Sequence, residues 1–320
     1  MSHRGDLQEL HGLPAFDFPD ADATVDALPD PASVAWRIAV DSYDSEEEWE
    51  EAFARFTSAV DTTRVRALIV GAWSEAYDSD PGPVISALLA AGASKQLPAL
   101  RALFLGDMSG EECEISWINQ TDVSPLLEGF PELEEFGVQG GSGLVFPATR
   151  HEKLRTLRVE TGGLPAEVVR GIAASELPAL EHLDLWLGVS EYGGDAELSD
   201  LEPFLSGTRL PRLRYLALRN SEIQDEIAAA LAGAPVVARL ETLDLSMGTL
   251  GDEGAVALLE GQPLTHLKKL DLNHHFISEP MAERIRRALE PAGVTVDLDD
   301  VQEAWGDDED GRGRFTAVAE

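Results

Sequence analysis

One apolar phrase recurs along the chain, with leucine-like residues at the first, fourth and sixth places of a six-residue window. It reads Leu100-Arg101-Ala102-Leu103-Phe104-Leu105 and returns at 133–138, 154–159, 180–185, 213–218, 240–245 and 267–272. The fourth residue falls at 103, 136, 157, 183, 216, 243 and 270, giving steps of 33, 21, 26, 33, 27 and 27 residues. Within each phrase, alternate side chains leave opposite faces of a strand, so Leu243 and Leu245 go one way and Thr242 and Asp244 the other. A further good copy at 65–70 and looser copies at 35–40 and 294–298 bring the expected strands to ten.

Between phrases the period changes from two to that of a helix. Asp252 is placed to cap a helix whose apolar stripe is Ala255, Val256, Leu258 and Leu259. Asp225 stands before Ile227 to Leu231 in the preceding unit, and Ser278 before Met281, Ile285, Ala288 and Leu289 in the following one. A strand plus a helix of this size cannot bury its apolar face alone. Stacked copies supply the missing surface to each other, which makes stability a sum over neighbours. Near the start, Ser45 and Glu48 predict a capping box ahead of a helix with Trp49, Phe53, Phe56 and Val60 on one face.

The last three full units resemble ribonuclease-inhibitor-like leucine-rich repeats, whose pattern is L-x-x-L-x-L-x-x-N-x-L-x-D-x-G followed by a helix. Leu243, Leu245, Leu250, Asp252 and Gly254 keep that pattern, with Gly248 in place of the asparagine; Leu270, Leu272, Ile277 and Ser278 keep it less fully. The resemblance covers residues 60–300 and implies an α/β leucine-rich-repeat solenoid, a horseshoe with one parallel sheet on the concave face and helices on the convex face. The whole chain is also similar to an uncharacterised family of bacterial leucine-rich-repeat proteins, which implies no activity. The domain reading is an N-terminal cap over residues 1–32, a repeat domain over 33–299 and an acidic, disordered tail over 300–320. The cap is expected because the end of a solenoid must be covered to keep its core dry, and the segment Leu10-His11-Gly12-Leu13-Pro14-Ala15-Phe16-Asp17-Phe18-Pro19 is apolar and punctuated by proline.

Charge narrows the partners. With 24 basic and 59 acidic side chains among 320 residues, the formal charge is −35. Phosphate backbones and anionic membranes are attracted by Lys/Arg patches, so neither nucleic acid nor a membrane is expected as a partner. The single cysteine, Cys113, can form no intramolecular disulfide, and the first residues lack the apolar core of a secretory signal. Both point to the cytoplasm.

Strand alternation nominates a binding face. The position between the last two apolar residues reads Ala39, Ile69, Phe104, Gly137, Arg158, Asp184, Ala217, Asp244, Asp271 and Asp297 down the ladder, apolar first and acidic later. The aspartates are expected only to solvate the sheet. Flanking positions on the same face add His182, Trp186, Tyr215, Arg219, Lys269 and Asn273. Extra length after the strands, at 106–122 and 187–200, places Trp117 and Tyr192 on loops at one edge with the glycine-rich 137–143 segment. Trp, Tyr and Arg are the types enriched in binding hot spots. The expected partner site is therefore Trp186 with Tyr215, Arg219, Arg158, His182 and Phe104 and the loops of Trp117 and Tyr192, unless Trp186 packs under its following loop.

Chemistry finds little support. Gly140-Gly141-Ser142-Gly143 lacks the Gly-Lys-Ser/Thr of a phosphate loop, and no G-x-S-x-G elbow occurs. Cys113 could serve as a nucleophile, as in bacterial ubiquitin ligases carrying such repeats, but Glu111, Glu112 and Glu114 disfavour its thiolate. His274 and His275 are adjacent on an extended segment and point apart, so they read as a surface pair rather than a metal site. No catalytic residue, metal or cofactor is expected. The functional reading is a non-catalytic protein-binding scaffold. The alternative is a regulator of an enzyme, resembling the GTPase-activating proteins built on the same repeats.

Overall fold

The computed structural model describes residues 5, 7–23, 27–43, 45–305 and 313–320. The chain divides into two compact units, over residues 1–160 and 161–319.

The first unit opens with a hairpin, β1 (Glu9–Leu10) antiparallel to β2 (Leu13–Asp17). From β2 onward the strands are parallel and follow chain order: β3 (Ala35–Ile38), β4 (Ala67–Val70), β5 (Ala102–Leu105), β6 (Glu135–Gln139) and β7 (Thr156–Glu160). Leu68, Leu103, Phe136 and Leu157 fall in one register row, all fully buried, as the phrase spacing requires. Helices α1 (Trp49–Ala59), α2 (Gly82–Ala93) and α3 (Ser124–Gly129) follow β3, β4 and β5. No helix separates β6 from β7, which accounts for the 21-residue step. The α1 stripe packs as expected, Trp49 stacking on Phe53 at 5.1 Å and Phe56 meeting Trp36 at 5.4 Å. Its capping box is formed by Glu48 and Glu51 rather than Ser45 and Glu48.

Two local expectations shift. The 35–40 copy is displaced by two residues, because Trp36 pairs with Leu68 and Arg37 with Ile69. Ala39 therefore lies past the strand, and Arg37 takes the place expected for it. Residues 1–32 also contain β2, which adds a strand at the sheet edge, and β1, whose Leu10 turns over the face opposite the helices. Leu10 is buried there with Ala35, Ala67, Ile69, Ala102 and Phe104, while Leu7, Leu13 and Ala15 pack around them. Under this cover Arg37 is ion-paired to Asp107 at 2.6 Å and to Asp17 at 2.8 Å, and it donates to the Leu7 carbonyl. Burial opposes the Arg37 charge, but Asp107 and Asp17 outweigh it and hold the guanidinium protonated.

The second unit alternates α4 (Ala166–Ala174), β8 (His182–Gly188), α5 (Leu198–Leu205), β9 (Tyr215–Ser221), α6 (Gln224–Leu231), β10 (Thr242–Asp244), α7 (Asp252–Glu260), β11 (Lys269–Asp271), α8 (Glu279–Leu289) and β12 (Thr295–Asp297). Its strands are parallel, and Leu183, Leu216, Leu243, Leu270 and Val296 form one register row. The four leucines of that row are at most 1% exposed. Two residues past the last apolar strand position, the chain turns through left-handed backbone at Asn220, Met247, His274 and Asp300, with φ of 54°, 66°, 57° and 60°.

A disordered tail is not what residues 313–320 show, while residues 306–312 lie outside the described residues. Three of those left-handed turns receive the segment in succession. The Phe315 carbonyl meets His274 Nε2 at 3.1 Å, and the Ala317 N–H donates to the Met247 carbonyl at 2.8 Å. Val318 is held at both backbone polar groups by the Asn220 amide, at 2.6 and 3.0 Å. Arg314 pairs with Asp225 at 2.8 Å.

Nor are His274 and His275 a surface pair; they are 5% and 0% exposed, though they do point apart. His275 stands where the repeat pattern has asparagine. Its Nδ1 accepts the Ile277 N–H at 3.0 Å and its Nε2 reaches the Leu298 carbonyl at 3.2 Å, so the ring is neutral with the proton on Nε2. His151 in the first unit is wired alike, Nδ1 accepting from Leu154 at 3.0 Å and Nε2 reaching the Phe130 carbonyl at 3.2 Å. Burial, the main cause, pulls both below the ordinary histidine pKa. The folded chain thus resists protons that the unfolded chain accepts below about pH 6.5, and stability is lost as pH falls through that value. His275→Asn, the repeat's usual residue, should lose less stability than the parent between pH 7 and 5 in paired thermal melts; equal slopes would refute this.

Candidate functional site

In the second unit, the sheet face opposite the helices carries a packed polar network that the register explains. Ala217 on β9 pairs with Asp184 on β8 and with Asp244 on β10, so two carboxylates flank one methyl group. Arg219, two residues further on the same face, folds back between them. Its Nε and Nη2 donate to Asp184 at 2.9 and 2.8 Å, a two-pronged pair, and Nη1 lies 3.7 Å from Asp244. Tyr215, two residues before Ala217, donates its hydroxyl to Asp244 at 2.8 Å. Ser246 gives Asp244 two more hydrogen bonds, at 2.6 and 3.0 Å.

The aromatic residues lie on this frame. The Arg219 guanidinium sits over the Trp186 ring at 4.9 Å, and His182 stacks on Tyr215 at 3.7 Å with the planes 7° apart. The Trp186 ring is partly exposed, while its Nε1 is buried and makes no hydrogen bond. Burial opposes the Arg219 charge, but Asp184 and Asp244 outweigh it and keep the group firmly protonated. Burial and the same two carboxylates push the Tyr215 hydroxyl far above its ordinary pKa, so it stays a donor.

Of the residues nominated from the sequence, the fold brings Trp186, Tyr215, Arg219 and His182 together. Sequence reasoning missed the role of Asp184 and Asp244. Both were expected to solvate the sheet, yet each is only 2% exposed. The signal was the spacing itself: a small residue between two aspartates, with Tyr and Arg two positions to either side.

The other nominated residues fare differently. Phe104 belongs to the first unit and is 1% exposed, so it offers no binding surface as it stands. The hairpin covers it, and its ring lies against Gly137, where a Cβ would come within 2.3 Å of the ring. Arg158, also in the first unit, is partly exposed beside Glu160 at 3.6 Å. Trp117 is 56% exposed on its loop. Tyr192, in the second unit, ends the short 190–192 turn, whose carbonyl packs against Gly163. Burial and the neighbouring Glu114 push the Cys113 thiol up to about 11, so it carries no thiolate at neutral pH. Among the described residues no helix is long and apolar enough to cross a membrane.

Parallel strands set in register by a recurring leucine phrase, most of them followed by a helix, have the architecture of leucine-rich repeats. Residues 210–232 and 240–259 match the family model described as Leucine Rich repeat. Among solved structures, the chain is similar to a crystallised protein from Bacteroides fragilis, with 29% identity and a TM-score of 0.73 over 81% of this chain and 70% of that one. A leucine-rich-repeat protein of Leptospira interrogans also matches, with 16% identity and a TM-score of 0.34 over 77% of this chain and 52% of that one. No curated protein gives a significant match.

Proposed function

We propose that the protein is a non-catalytic, protein-binding scaffold of the ribonuclease-inhibitor-like type, and that Trp186 is the anchor of its partner site. The observation that carries the reading is the Trp186 ring, partly exposed on a sheet face and clamped at 4.9 Å by an arginine that two buried carboxylates fix in place. A rigid aromatic surface loses little freedom on binding, which is what separates a hot spot from its surroundings. Tyr215, His182 and Arg219 frame the anchor, and the turn bearing Tyr192 belongs to the same unit. The charge of −35 favours a partner with a basic surface over nucleic acid or membrane. The single cysteine supports a reducing, cytoplasmic setting. Residues 1–32 belong to the proposal as a cap rather than a binding element, supported by the burial of Ile69 and Phe104 beneath Leu10.

Trp186→Ala tests the site. Partner binding should weaken by at least about 2 kcal/mol, the usual hot-spot threshold. The fold should lose only the cation–π contact, about 0.5–2 kcal/mol. Immobilised parent and variant chains, incubated with the same cell extract, should differ in one or a few proteins identified by mass spectrometry. Identical retained sets would count against the site, and a GTPase in the difference would favour the regulator reading instead.

A further inference from the structure

In the second unit the left-handed turns at Asn220, Met247 and His274 recur at 27-residue intervals and form a ladder of their own. The Asn220 N–H donates to the Ser246 carbonyl at 2.9 Å, Met247 to Asn273 at 2.8 Å and His274 to Asp299 at 3.0 Å. A further polar group of each turn engages the 313–320 segment. The Asn220 amide grips both backbone groups of Val318, the Met247 carbonyl takes the Ala317 N–H, and His274 Nε2 donates to the Phe315 carbonyl.

The spacing explains why an extended chain fits this row. Neighbouring parallel strands lie about 4.8 Å apart, and an extended segment rises about 3.3 Å per residue. Three residue steps, from Phe315 to Val318, therefore cover about the same 10 Å as two repeats, from His274 to Asn220. These bonds go to backbone groups and suit any extended segment. Two side-chain slots add selectivity. Arg314 reaches the Asp225 carboxylate at 2.8 Å and the Thr249 carbonyl at 3.2 Å. The slot depends on Gly251, where a Cβ would come within 2.1 Å of the Arg314 Nη1. The Phe315 ring meets His274 and Phe276 edge-on, at 5.6 and 5.3 Å.

The segment itself is lightly held. Of its eight residues only Thr316 is buried, whereas Asn220 and His274 are 0% and 5% exposed against it. A segment that buries so little opens locally, at far less cost than unfolding the unit. We propose that the row of Asn220, Met247 and His274 is a peptide-binding groove. Residues 313–320 close it in the free protein, and a partner opens it by inserting an extended segment with an arginine followed by an aromatic residue. A basic residue suits both the Asp225 slot and a chain whose formal charge is −35. The groove does not depend on the Trp186 reading, and its test does not use that face.

The probe is a fluorescent peptide with the sequence of residues 313–320, titrated against the full chain and read by anisotropy. Arg314→Ala together with Phe315→Ala in the chain should free the groove, so that this variant binds the peptide at least about tenfold more tightly than the occupied parent. A peptide with alanine in place of its arginine should bind the variant about fivefold more weakly. Adding Gly251→Ala to the variant should weaken the unaltered peptide by a similar factor. Its melting temperature should hold, because the backbone at Gly251 is extended and accepts alanine. Hydrogen exchange on the parent gives a check that needs no variant. The Ala317 and Val318 N–H groups should exchange at least about a hundredfold faster than that of Leu245, which is bonded to Asp271 at 2.9 Å. The proposal is overturned if the peptide binds neither chain, binds parent and variant alike or ignores Gly251→Ala, or if Ala317 and Val318 exchange as slowly as Leu245. A dimer in sedimentation that the paired Arg314 and Phe315 substitutions dissolve would assign the groove to a second copy and overturn the partner reading.

Discussion

Arg37→Met is expected to destabilise the first unit by about 3–5 kcal/mol, because it breaks a buried ion pair whose carboxylate, Asp107, is 1% exposed. The apolar replacement keeps most of the volume, so the cost lies in the broken charge pair rather than in a cavity. Arg37→Met combined with Asp107→Asn should recover much of the loss, since replacing both charges of a buried pair is often nearly neutral. Urea unfolding of the parent, both singles and the double would show this as a coupling. Simple addition of the two losses would mean that the pair carries no coupling of its own. The arginine also donates to Leu7 and pairs with Asp17, so the single variant should loosen the hairpin. Faster protease cleavage within residues 1–32 would then accompany exposure of Ile69 and Phe104, the outcome expected if those residues act as a cap.

Arg219→Met should cost a similar 3–5 kcal/mol, here by removing the cation that two buried carboxylates share. The Tyr215 hydroxyl and Ser246 would still donate to Asp244, whereas Asp184 would lose its two-pronged partner. Urea unfolding of parent and variant at one pH measures the loss, and a difference below about 1 kcal/mol would count against the arginine's role in the frame. Arg219 is thus unsuited to testing partner contact by truncation, since its removal harms the frame that holds Trp186.

The repeat was legible because its signal is redundant. Leu103, Phe136, Leu157, Leu183, Leu216, Leu243 and Leu270 each mark a strand, and each is buried as its phase demands. The first strands were harder. In Ala35-Trp36-Arg37-Ile38 a tryptophan stands for leucine and a buried arginine occupies the opposite face, so the template slid by two residues. β2 escaped notice because it is five residues long and contains Pro14, and its burial depends on β3, which is distant in sequence. The network around Ala217 was half visible: alternation put its members on one face, but a strand pattern does not state that Arg219 is long enough to neutralise carboxylates on both neighbouring strands. The 313–320 segment was read from the charged, glycine-rich stretch before it, whereas its placement rests on carbonyls and an amide of the left-handed turns.

That placement has a consequence for synthesis. The Asn220 amide is satisfied by Val318, ninety-eight residues later. At about 5–20 residues per second, a ribosome needs about 5–20 s to add that length. Over that interval the turns at Asn220, Met247 and His274 are made one after another, and each stays open, available to chaperones or to another chain's segment of similar sequence, until residues 313–320 follow. A message truncated before codon 313 would leave the row open permanently, so premature termination there is expected to yield a chain that is folded in its repeats yet prone to pairing with its neighbours.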